Sequence, residues 1–223
     1  MSIEIATRPW RRFTKMFGNR SLLTVVLAAV GATGYAQLDG PAPLAWRWQQ
    51  SASVAPNGSP TVDGNSIYYN VGNRVYSIDR GTGNTIWKYP NGAPLDGTVK
   101  RSPVLVNGVL VMFTDQRKVY GIDPQTGQSK WVYEAPFQIS SPLVAAGRFV
   151  VFAMDGGNIM SVDSVTGEGY NEGPLRMLDG IGGPLFSDGR DTIAFFDNRN
   201  GIRAISASTR GTLWTQQFGV RPA

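Results

Sequence analysis

Three aspartates recur at a fixed place in this 223-residue chain, each followed by a glycine. The first copy of the pattern reads Asp79, Gly83, Trp87 and the second Asp123, Gly127, Trp131. The third has Asp163 and Gly167, with Asn171 where a tryptophan would fall; the fourth has Ser206 for the acid and Arg210 for the glycine, and keeps Trp214. Regularly spaced carboxylates could point to calcium loops. Each copy offers one acid, however, and none carries the Asp-x-Asp-x-Asp-Gly run such a loop uses. Capping of a turn fits the spacing better. Asp, with Thr82, Thr126 and Thr166 beside it, can accept hydrogen bonds from the N–H groups of a tight turn. Glycine supplies a positive φ, and tryptophan buries its ring while its N–H finds a carbonyl. The motif reads as a clip that fastens one sheet to the next.

Composition removes most other chemistry. The chain has no Cys and no His, which rules out disulfides, thiol-linked lipid, Cys or His zinc sites, and Ser/His or Cys/His catalysis. The expectation is a protein with no catalytic residue, no bound metal and no cofactor. The net charge of +5 is concentrated in the first 36 residues, where five basic groups face the single acid Glu4. The remainder is nearly neutral, so nucleic acid is not an expected partner. Arg117-Lys118 and Arg199 with Arg203 could make a small basic rim, but a solvated surface is the simpler reading.

The elements that must position the clip are short and repeated. Ser59-Pro60, Ser102-Pro103, Ser141-Pro142 and Gly183-Pro184 open four segments whose prolines lie 43, 39 and 42 residues apart. Each pair leads into an apolar strand and a glycine turn: Asp63-Gly64, Asn107-Gly108, Ala146-Gly147 and Asp188-Gly189. Second strands follow as SIYYNV, VLVMFT, RFVVFAM and TIAFFD. Their Tyr68, Tyr69, Phe113, Phe152, Phe195 and Phe196 are expected to pack between sheets. Third strands read RVYSID, KVYGID, NIMSVD and GIRAIS; fourth strands read TIWKY, SKWVY, a degenerate GYNEG, and TLWTQQ. This predicts an all-β fold: a β-propeller, or part of one, of four four-stranded antiparallel blades. The blades are expected at about 59–98, 99–138, 139–180 and 181–223.

The Asp-x-x-x-Gly-x-x-x-Trp signature, complete in two copies and degenerate in two, resembles the tryptophan-docking repeat of the pyrroloquinoline-quinone type of β-propeller. The resemblance covers about residues 44–220. That family includes quinone-dependent dehydrogenases and cofactor-free scaffolds, and usually runs to seven or eight blades. The alcohol dehydrogenases carry a vicinal cysteine pair absent here. The scaffold branch carries a lipidated cysteine after its leader, where this chain has Gln37. The resemblance implies the non-catalytic branch, with a quinone-dependent oxidoreductase, or a fragment of one, as the alternative.

Residues 1–36 read as a signal peptide: a basic start, the apolar run SLLTVVLAAVGATGYA expected as a helix, and Gly34 and Ala36 at a cleavage spacing. Residues 37–58 then form a linker and a lone outer strand around Trp46 and Trp48, and residues 59–223 the blades. The location implied is periplasmic or extracellular, with contact to a membrane only if the leader is retained. Three arrangements stay open: a ring closed with four blades, a homodimer completing a larger ring, and part of a longer propeller. The expected function is a scaffold that binds a protein or surface polymer through the long connections Pro90–Lys100 and Gly169–Ile181.

Overall fold

A computed structural model describes residues 55–219. The leader, the strand expected around Trp46 and Trp48, and the last four residues lie outside the described residues. Sixteen strands form four four-stranded antiparallel sheets, each a simple up-and-down meander. The first blade is β1 (Thr61–Asp63), β2 (Ser66–Val71), β3 (Arg74–Asp79) and β4 (Thr85–Tyr89). The second is β5 (Val99–Val106), β6 (Val109–Thr114), β7 (Lys118–Ile122) and β8 (Ser129–Glu134). The third is β9 (Val144–Ala146), β10 (Phe149–Met154), β11 (Asn158–Asp163) and β12 (Leu175–Arg176). The fourth is β13 (Phe186–Ser187), β14 (Thr192–Phe196), β15 (Gly201–Ser206) and β16 (Thr212–Gln217). The first strands β1, β5, β9 and β13 neighbour one another in succession.

The core is three apolar layers, one between each pair of successive sheets. Strand alternation builds them, because successive side chains point to opposite faces. On β6, Leu110 and Met112 face the first blade with Tyr68, Val75 and Ile122. Val109, Val111 and Phe113 face the third blade with Trp131, Val150 and Phe152. On the far side of that blade, Val151 and Ala153 meet Ile193, Phe195 and Ile205 of the fourth. Burial of one large side chain such as Phe152 is worth about 1.5–3 kcal/mol. These layers carry most of the cohesion.

Three expectations need adjustment. GYNEG is not the fourth strand of the third blade: Gly169 makes only an isolated bridge to Val162, and the edge is Leu175–Arg176 paired with Asn158 and Ile159. The glycines at both ends of the segment weaken it as a pleated edge, and the pairing passes to the next Leu-Arg pair. The hairpin turn of the first blade is Gly64-Asn65 and that of the third Gly147-Arg148, each one residue later than the glycine dipeptides imply. Of the six second-strand aromatics, Phe196 is exposed against Phe186. Tyr69 stacks on Tyr76 across the outer face of the first blade. Both lie on faces that no other described sheet covers.

Candidate functional site

The clip turns occupy one end of the strands. Asp79 accepts from the N–H groups of Gly81 (2.9 Å) and Thr82 (2.7 Å) and from the Thr82 hydroxyl. Asp123 accepts from Gln125 and Thr126, and Asp163 from Val165 and Thr166, at 2.9–3.1 Å. In each turn the glycine N–H also donates to the aspartate carbonyl at 2.8–2.9 Å. The N–H groups of Thr82 and Thr126 are the main force holding the Asp79 and Asp123 carboxyls below their ordinary range. For Asp163 burial pushes upward, but the N–H groups of Thr166 and Val165, together with Arg148, outweigh it. All three carboxylates thus serve turn amides.

The tryptophans reach across the blade junctions. Trp87 donates to the Pro124 carbonyl at 3.0 Å, which also accepts from the Tyr68 hydroxyl, and Trp131 donates to Ser164 at 2.9 Å. Each ring lies over the glycine of the next turn. A Cβ on Gly127 would come within 2.7 Å of Trp87, and one on Gly167 within 2.5 Å of Trp131. The φ angles of these glycines, 70° and 76°, also need glycine. Trp131 is pressed from its own blade too, where a Cβ on Gly121 would overlap the indole, and it is only 9% exposed. Trp214 differs: it is 49% exposed and docks on no turn among the described residues. With Phe186 and Phe196 it forms an apolar face on the fourth sheet, turned away from the third.

Two of the three aspartate clips have a second support that sequence reasoning missed. Asn65 and Arg148, from the first hairpin turns of their blades, reach Asp79 and Asp163. In the fourth blade the polarity is reversed. Ser206 stands where the acid was, and Asp191 of the hairpin turn accepts from its hydroxyl (2.6 Å) and from the Ser208 N–H (2.8 Å). The signal available was a polar residue in each hairpin turn, but nothing local says that the two turns of a blade touch.

The opposite end is formed by the blade-to-blade connections and the turns between second and third strands. The three arginines weighed as a basic rim, against the simpler reading of a solvated surface, are paired there: Arg117 with Glu134, and Arg199 and Arg203 both with Asp179 at 2.9 Å. The two long connections are tied down. Arg74 donates to the carbonyls of Pro90 and Gly92, and Met177 N–H to the Gly157 carbonyl. Between Met177 and the doubly paired Asp179, Leu178 is 88% exposed, and Phe137 is exposed on the preceding connection. Two clefts open along the first strands. One, about 630 Å³, is lined by Lys100, Ser102, Phe113, Gln138 and Leu143; the other, about 720 Å³, by Met154, Asp155, Gly157, Ile181 and Pro184. Arg101, Ser140 and Pro142 line both.

Comparison with known proteins places this geometry. The family profile described as outer membrane protein assembly factor BamB matches residues 44–216. Among solved structures, BamB from Moraxella catarrhalis is similar with a TM-score of 0.57 at 17% identity, over 75% of this chain and 49% of that one. The computationally designed Ika8 protein is similar with a TM-score of 0.55 at 15% identity, over 70% of this chain and 48% of that one. The chain spans about half the length of these solved structures, and the likeness is one of fold. No curated protein matches.

Proposed function

Because the chain belongs to the family of the outer membrane protein assembly factor BamB, we propose that it is an exported, non-catalytic β-propeller scaffold. On this reading it acts in the periplasm or at the cell surface. Its partner is a protein engaged in outer-membrane protein assembly, held by the blade-to-blade connections. The observation that carries the reading is Leu178. A large apolar side chain stands almost wholly in solvent, yet its neighbours are fixed by the Met177–Gly157 hydrogen bond and the Asp179–Arg199/Arg203 pairs. A rigidly presented apolar tip loses little entropy on docking. A photo-cross-linker at position 178 should capture a protein of the outer-membrane assembly apparatus from intact envelopes. The same group at the exposed Val132 should not. The envelope form should begin at Gln37. Equal capture from both positions, or purification of a cytoplasmic protein retaining residue 1, would overturn the proposal.

The open face of the fourth sheet favours an addition to this reading. Phe186, Phe196 and Trp214 lie where a further sheet would stack, and the part of this chain that aligns matches only about half of each solved structure. A second copy would complete the larger ring. The mass in solution then corresponds to a dimer, and Trp214→Glu dissociates it; a wild-type monomer refutes the pairing.

A further inference from the structure

Four residues precede the small-residue–proline pairs that open the blades: Gly58, Arg101, Ser140 and Gly182. Three are small, and the fourth is an arginine. Arg101 sits at φ 60°, and Gly58 in the first blade, also in the positive-φ region, has φ 91°. A glycine would adopt the Arg101 backbone without strain. The surroundings enforce that backbone. The pairing of β5 with β6 is irregular between Lys100 and Val104. Gly58 packs so closely that a Cβ there would lie 2.5 Å from the Ser102 nitrogen and 2.6 Å from the Arg101 carbonyl carbon. The Ser59 N–H donates to the Ser102 hydroxyl at 2.8 Å, and Asn57 donates to the Val99 carbonyl at 3.1 Å. Bulges of this kind re-aim a side chain. The side chain so aimed is exposed on the wall common to both clefts, and among the described residues it has no hydrogen bond or ion pair.

Charge selects the ligand. Lys100, beside it, is paired with Asp115 at 3.5 Å. Asp155 lines the second cleft. The clefts therefore present one uncommitted cation within a field that is otherwise balanced or acidic, which disfavours phosphate or any polyanion. A single carboxylate meeting a guanidinium fork suits it. The flanking, half-buried apolar surfaces of Pro142 and Ile181 suit the neighbouring side chains of an extended peptide. We propose that Arg101 is the anchor of a groove along the first strands that binds an extended protein segment through one Asp or Glu carboxylate. This rests on the scaffold reading and names the chemistry of its ligand.

The test uses the full chain and an array of ten-residue peptides, each with one Asp or Glu moved through a neutral, partly apolar frame. The wild type should retain a subset of the array, and replacing their acid by the amide should weaken binding at least about tenfold. Arg101→Gln should abolish the preference for the acid, and Arg101→Glu should transfer it to lysine-bearing counterparts. Arg101→Gly should lose peptide binding while its melting temperature rises by about 2–4 °C, since strain is relieved; binding lost this way cannot be put down to unfolding. Retention of no peptide by the wild type, equal binding by Arg101→Gln, or displacement by millimolar inorganic phosphate would each overturn the proposal. The photo-cross-link from position 178 is read on the same variants. If it persists in Arg101→Gln with no acid preference in the wild type, the scaffold stands and the anchor falls; if it is absent throughout, the scaffold reading itself has failed.

Discussion

The junction between the second and third blades and the junction between the third and fourth follow one plan and are closed by different chemistry. At the first, Trp131 lies between Gly121 of its own blade and Gly167 of the next and donates to the Ser164 carbonyl. At the second there is no tryptophan. Arg210, at φ 62°, stands where the turn glycine was, and its guanidinium lies 4.5 Å above the Tyr170 ring. The turn survives the exchange: Arg210 N–H still donates to the Ser206 carbonyl at 2.9 Å. A cation–π contact at a partly exposed site is worth about 0.5–1 kcal/mol, against about 3–5 kcal/mol for the loss of a buried tryptophan. The third and fourth blades nevertheless stack as the others do, because the layer around Val151, Ile193 and Phe195 is complete. The apolar layer therefore holds the blades together, and the clip adds to it.

Three measurements would break or sharpen this comparison. The largest effect is expected from Trp131→Ala, which should cost about 3–5 kcal/mol in denaturant unfolding. A cost below about 0.5 kcal/mol, ordinary for a surface substitution, would show that the clip carries nothing.

The next contrast is between equivalent turn positions. Gly167→Ala should cost about 1–3 kcal/mol, since the new methyl group meets both the Trp131 ring and a φ of 76°. Arg210→Gly should lie within about 0.5 kcal/mol of wild type, because the lost cation–π contact is offset by relief of the left-handed backbone. If the two variants unfold alike, the junctions do not differ as described.

The smallest effect is in acid. Asp79, Asp123 and Asp163 are held below their ordinary range, and so is Asp191, where Ser206 and Ser208 outweigh burial. A depressed folded-state pKa gives stability that is fully present above the unfolded aspartate value of about 3.9 and is lost as pH falls through the folded value. Stability should thus stay level from pH 7 to about pH 5 on account of these groups and decline below about pH 4. Replacing Asp191 by Asn should remove that residue's own share of the decline and leave the share of Asp79, Asp123, Asp163 and the neighbouring Asp188, which is also held low by turn N–H groups. Carboxyl titrations followed by NMR that centre at or above the ordinary value would contradict the turn hydrogen bonds.

Most of the strand plan could be read directly from the chain. SIYYNV, RVYSID, TIWKY, NIMSVD, GIRAIS and TLWTQQ each coincide with a strand from end to end. Alternation and turn glycines are local signals, and a strand obeys them wherever it packs. The third blade's edge was misplaced because GYNEG sits at the right spacing, whereas pairing at Leu175–Arg176 is settled by which segment can lie against Asn158 and Ile159.

By itself the sequence determined the repeat, the turns and the residue types of the clip, since each depends on neighbours a few positions away. Tertiary structure alone decided the rest. It buried Trp131 and left Trp214 in solvent, because only the former has a following sheet among the described residues. It matched Asp191 to Ser206 across the turns of one blade, and it forced Arg101 into a glycine-like backbone between two clefts. Those outcomes depend on groups brought together from 15 to 43 residues apart, and the local pattern carries no record of such contacts.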